Sequence, residues 1–248
     1  MIIFDYQPLV PMAKPQLTDV KRILAEVESL RARQGKLKRT ATHNFYLRFV
    51  DIHDLYDFND KYQAWMEPKI YKIARANFIV NVISALEMYF KALITEYQNR
   101  WVDEGIKEML QEKISLHDAF ILCKNTGVEK ADLIAIHSSF QNLSSIESIF
   151  RKLTGKKMFL DAIGFKMLVI NKKGKSIPDN RKNFKKILNR TFELRHKIIH
   201  EGYIYPIDTS QIDNLVEVLL YLPSVIETYF DSLPVLQFVP ELSEFDEP

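Results

Sequence analysis

Cys123 is the only cysteine in these 248 residues, so no disulfide can close within the chain. Glycine is scarce as well, with seven in the whole length, and no Asn-Gly or Asp-Gly pair spaces out strands. Those two shortages together point away from hairpin-built sheets and toward an all-α fold. Charge of one sign is also missing: 34 basic residues against 32 acidic leave a net charge of +2. Total charge therefore predicts neither attraction nor repulsion of nucleic acid, and such a partner has to be read from local patches. Long uncharged apolar runs are absent too, since "FIVNVISALEMYF" is broken by Asn81 and Glu87, and no membrane partner is expected. The start, "MIIFDYQPLV", lacks the basic residues and long apolar region of a signal peptide, which leads us to expect a cytoplasmic protein.

What is present is a 47% hydrophobic content, enough to bury a full-sized core in one elaborated domain. After Pro8, Pro11 and Pro15, "QLTDVKRILAEVESLRARQ" places Leu17, Val20, Ile23, Leu24, Val27 and Leu30 at helical spacing. The strongest pattern lies in "YKIARANFIVNVISALEMYFKALITEYQNRW", where Ile79, Ile83, Leu86, Phe90, Leu93 and Tyr97 predict a central core helix. Shorter helical segments, "EGIKEMLQEKI", "LHDAFILCKN", "KADLIAIHSSF" and "SSIESIFRKLTG", follow as inserted small helices between polar or glycine stops. Then "KMLVINKKGKSIPDN" reads as a short apolar run and a basic loop. Pro178 opens a helix that ends at Gly202, and Asp208 with Gln211 forms a capping box for a last helix running to about Phe230. The organisation expected is a helical extension over 1–70, a helical domain over 71–231 and an acidic, proline-broken tail over 232–248.

Three short patterns bear on chemistry. "GKS" at Gly174–Ser176 resembles the end of a phosphate-binding loop, but the glycine required five positions earlier is Val169, so that reading fails. What remains is a basic run, Lys172, Lys173, Lys175, Arg181, Lys182, Lys185, Lys186 and Arg190. It suits either a solvated helix face or contact with a phosphate backbone. His196 and His200 stand four apart, as in the zinc motif HExxH, yet the place of the catalytic glutamate is taken by Lys197, a cation that repels a metal ion. No metal and no cofactor is expected.

The third pattern is Arg195 followed by four residues and His200. Such a spacing arises about once by chance in a chain with this many arginines and histidines, and "RFVDIH" repeats it at Arg48 and His53. Surroundings separate the two. Arg48 and His53 lie among Asp51, Asp54 and Asp57, which oppose a phosphate. Arg195 falls instead on an inward row with Phe184, Leu188, Phe192 and Ile199, where a long cation is costly unless paired or functional. Arg195 and His200 are about 140° apart around the axis and about 7.5 Å along it, within reach of one anion. The bland alternative stays open: a buried arginine paired with Glu193 or Glu87, and a histidine that only caps the helix C-terminus.

At this point "FELRHKIIHEGY" resembles the signature of the HEPN superfamily: Arg, a polar residue directly after it, and His four to six residues beyond Arg, often followed by Gly. Arg195, His196, His200 and Gly202 fill those places. The helix containing "ISALEMYFKALI" is similar to the one that precedes the motif helix in prokaryotic families of the RiboL-PSP kind, where a Glu like Glu87 is common. The likeness is close over 192–203 and loose over 71–230. It implies a helical bundle with inserted small helices and a metal-independent endoribonuclease, with Arg195, His200 and His196 catalytic and Glu87 and Glu193 supporting. Lys172, Lys173, Lys175, Lys182 and Lys197 would then contact the RNA backbone. It implies further a homodimer joined through the motif helices, and for prokaryotic members a role as toxin or phage-defence effector, with an antitoxin or other partner protein. An inactive module that binds a protein or nucleotide is the alternative within the same resemblance.

Overall fold

The computed structural model describes residues 28–29, 40–111, 128–156, 159–169, 183–202 and 206–235, with the side chains of 165–169 left aside. Among the described residues there are eight α-helices and no strand, so the chain is all-α.

The first helix described over its whole length, α1 (Ala41–Lys61), is not legible as a separate element, because acidic residues and exposed apolar ones share its outer face. Thr40 caps it by accepting a hydrogen bond from the His43 backbone N–H at 3.2 Å. Its inner face repeats at helical spacing, with Ala41, Phe45, Phe49 and Tyr56 buried. That face lies antiparallel along α2 (Pro68–Glu96): Phe45 meets Tyr89 at 5.4 Å between ring centroids, Tyr56 meets Phe78 at 4.9 Å, and the Ala41 N–H donates to Glu96 at 2.6 Å. The 70/71 boundary drawn from the sequence thus falls inside α2, and α1 shares the same core cluster as the helices that follow.

Helix α2 is the central one. Pro68 sits in its first turn, where a missing N–H costs nothing, and Val82, Ile83, Leu86, Leu93 and Ile94 are completely buried. By length and composition it is the one described helix able to cross a membrane, yet 61% of its most apolar stretch is buried inside the protein.

Four short helices follow: α3 (Asp103–Gln111), α4 (Lys130–His137), α5 (Leu143–Thr154) and α6 (Phe159–Val169); α4 packs on α2, Phe150 of α5 meets Phe90 of α2, α3 packs on α4 and α5, and α6 packs on the last helix. The α6 segment, read from the sequence as an apolar run before a loop, is helical. An aromatic cluster holds this end together, with Phe150 against Phe159 at 4.8 Å and Trp101 edge-on to Phe230 at 5.1 Å. The buried Trp101 N–H donates to the Ile94 carbonyl at 2.8 Å.

The motif helix α7 (Phe184–Glu201) stops at Gly202, whose φ of 61° is the left-handed cap expected of that glycine. The last helix, α8 (Thr209–Asp231), starts with the capping box of Asp208 and Gln211 read from the sequence. It runs parallel to α2: Arg75 meets Thr209, the Tyr89 hydroxyl donates to the Pro223 carbonyl at 3.1 Å, and Tyr97 meets Asp231 at 3.3 Å. Helix α7 therefore runs antiparallel to α2, with its C-terminal end facing the N-terminal half of α2.

Candidate active site on the motif helix

Phe184, Leu188 and Phe192 are buried and anchor one side of α7 in the core. Arg195 continues their row, and its guanidinium reaches across to α2, where Nη2 lies 3.5 Å from Glu87 Oε1. Both side chains are mostly covered, 15% and 22% exposed. Burial, the larger influence, pushes the Glu87 carboxyl above its ordinary range, while Arg195 and then Lys91 pull it back. Among the described residues, neither Glu87 Oε1 nor Arg195 Nε, both buried, has a hydrogen-bond partner. The pair is held by charge at a distance, without the bidentate fork that would lock the guanidinium.

Of the two carboxylates suggested for Arg195, then, Glu87 is the one opposite it. Glu193 is exposed and lies about 160° around the helix from Arg195. Ile199 departs from the expected inward row, at 45% exposed, because the core ends before the last turn of α7.

His196 and His200 lie side by side on the outer side of that last turn, with ring centroids 4.4 Å apart, planes tilted at 43°, and both residues exposed. A neutral imidazole carries one donor and one acceptor nitrogen, so two adjacent rings can present a proton acceptor and a proton donor side by side. Lys197 is exposed next to them. Lys172, Lys173, Lys175 and Lys182 lie outside the described residues.

The competing pair on α1 is engaged elsewhere: His53 Nδ1 is 3.3 Å from Asp57 Oδ2, one turn on. Arg48 lines a shallow groove between α1 and α2 with Phe45, Met88 and Tyr89, away from the motif helix.

A second polar cluster escapes a reading of the sequence. Arg75 on α2 donates to Asp60 at 3.1 Å, to the Ile207 carbonyl and to the Thr209 hydroxyl, and lies over the Tyr71 ring at 4.5 Å. Tyr71 also donates to Asp60, and burial together with that carboxylate pushes the Tyr71 hydroxyl up to about 12. This cluster ties α1, α2 and the start of α8 together, so it sets where the chain returns after the motif helix. Tyr71 and Arg75 stand one turn apart, but their partners come from residues distant in sequence, which no local pattern reveals.

No family model, curated protein or solved structure matches the chain. The functional reading consequently rests on the chain's own residues.

Proposed function

We propose that the protein is a metal-independent endoribonuclease of the HEPN type, acting in the cytoplasm as a homodimer, in the manner of a toxin or phage-defence effector. The observation that carries the reading is an exposed His196–His200 pair that follows Arg195 within about a turn and a half of the same helix, with the Arg195 guanidinium tethered by Glu87. In this reading His200 takes the proton from an RNA 2′-OH as that oxygen attacks the adjacent phosphorus. Arg195 stabilises the charge that grows on the phosphate oxygens. The P–O5′ bond breaks, the 5′-oxygen leaves with a proton from an imidazole, and the products are a 2′,3′-cyclic phosphate and a 5′-hydroxyl. His196, or the His200 of a second copy, is the donor in that last step.

The dimer rests on the resemblance and on the need for both an acid and a base, and Ile199, 45% exposed near the histidines, is an apolar side chain that a second copy would cover. The Arg195–Glu87 pair also favours a second reading, an inactive binding module in which the arginine is a structural contact. One experiment separates them: purified protein with labelled RNA in EDTA. Cleavage leaving cyclic phosphate ends supports the ribonuclease, and intact RNA with a folded protein leaves the binding module.

A further inference from the structure

At the junction of α1 and α2, large apolar side chains stand in solvent. Trp65 is 88% exposed, Phe58 58% and Tyr62 40%, and the Phe58 and Tyr62 rings are 4.8 Å apart. Three lysines are interleaved with them, Lys61, Lys69 and Lys72, the first with its ammonium 5.6 Å from the Tyr62 ring centre. The acidic residues of this tip are largely engaged: Asp57 faces His53, and Asp60 is held by Tyr71 and Arg75. Glu67 and, one turn before Phe58, the exposed Asp54 are left against the three lysines. Exposed aromatic rings among cations are the composition of a stacking platform for single-stranded nucleic acid, where bases lie on rings and phosphates meet ammonium groups.

Position relates this tip to the motif helix. Lys69, Ile73, Ala76, Val80, Ile83 and Glu87 alternate at four and three residues, so Lys69 shares the line on α2 that carries Glu87. Because α7 runs antiparallel to α2 from the Arg195–Glu87 pair, His200 lies about 7.5 Å closer to the tip than Arg195 does. From that level to Lys69 is roughly 20 Å along α2. An extended strand of a few nucleotides spans that gap.

We propose that the α1–α2 tip, with Trp65 as its principal base platform and Lys69 as a phosphate contact, is a binding site for single-stranded RNA that feeds the strand toward His200. It rests on the ribonuclease reading for the identity of the strand and for its direction.

Trp65 also supplies the probe, since the other tryptophan, Trp101, is buried in the core. The His200→Ala protein titrated with oligouridine should show saturable quenching of tryptophan fluorescence, and the matching duplex RNA should not. Anisotropy of a labelled oligouridine should show Trp65→Ala binding on the order of tenfold more weakly, as loss of one base–aromatic stack predicts, with the exposed site leaving the fold intact. Lys69→Ala should lower the salt dependence by about one phosphate contact. Unchanged binding by Trp65→Ala, or quenching by anionic lipid vesicles with none by oligouridine, would overturn the proposal. A wild-type protein that binds through Trp65 yet cleaves nothing removes the ribonuclease and leaves the platform. One that cleaves while Trp65→Ala has the same KM and affinity removes the platform and leaves the ribonuclease.

Discussion

Two side chains with opposite needs meet at Arg195. Its stem runs along the apolar row of α7 while its guanidinium sits opposite Glu87 at 3.5 Å, and a carboxylate at that depth is costly without a cation. Because burial raises the Glu87 pKa above the ordinary 4.5, its contribution to stability is complete below that pH and is lost as pH rises through the folded value. Glu87→Gln removes the titration. Denaturant unfolding from about pH 4 to about pH 8 should therefore show the variant gaining on the wild type as pH rises, with cleavage falling because Arg195 loses its tether. A variant whose deficit instead grows with pH would contradict this account. The roles of the motif residues have their own ordering. His200→Ala should lower the cleavage rate on the order of a hundredfold or more, and Arg195→Lys should also fail, since a point ammonium does not reproduce the planar fork. His196→Asn should be milder, and His53→Ala, whose imidazole faces Asp57, should leave cleavage unchanged. Equal losses from His53→Ala and His200→Ala would remove the assignment.

Among the helices, two glycines do different work. Gly105 in α3 lies where a Cβ would come within 2.0 Å of the Lys152 carbonyl oxygen, so α3 and α5 cross closely only because no side chain intervenes. Gly105→Ala forces a methyl group against backbone and should cost about 3 kcal/mol or more, read as a lower denaturation midpoint. At Gly202 a Cβ would meet nothing within 4 Å, and the constraint is the φ of 61° that ends the motif helix. Gly202→Ala should cost about 1 kcal/mol through strain alone. The same element scale explains what a reader of the sequence sees and misses. Helices α2, α7 and α8 declare themselves by periodicity, α7 also by its glycine stop and α8 by its capping box. Helix α1 hides because exposed Leu47, Val50, Leu55 and Phe58 are interleaved with Asp51, Asp54 and Asp57 on its outer side, so no wholly polar counterface marks its buried face.

At the scale of the molecule, one core cluster spans α1 through α8, and the His196–His200 pair stands at its edge where the last turn of α7 leaves the packed interior. Exposed Ile199 at that edge is the side chain a second copy would cover. Light scattering at micromolar concentration should give twice the mass of the chain, and Ile199→Asp should return the monomer and reduce cleavage with it. Monomer alone, at full activity, would refute the dimer.

The all-α class, the glycine stop of the motif helix, the capping box of the last helix, and the likeness of "ELRHKIIHEGY" to a ribonuclease motif are all local properties, whereas the motif helix, expected from Pro178, starts at Phe184, and Pro178 lies outside the described residues. Periodicity, caps and spacing involve residues within a few turns of one another, so a single chain read in order contains them. The choice of Glu87 over Glu193 as the partner of Arg195 is not of that kind. Two residues apart on one helix, Glu193 and Arg195 face different ways, while Glu87 reaches Arg195 only after α7 packs antiparallel against α2. The exposure of Ile199 is likewise tertiary, because it depends on where the core stops rather than on helical phase. So is the Asp60–Tyr71–Arg75–Thr209 cluster, whose members meet only when α1, α2 and α8 are folded together. Pattern decides which face of a helix is apolar, and packing decides what that face meets.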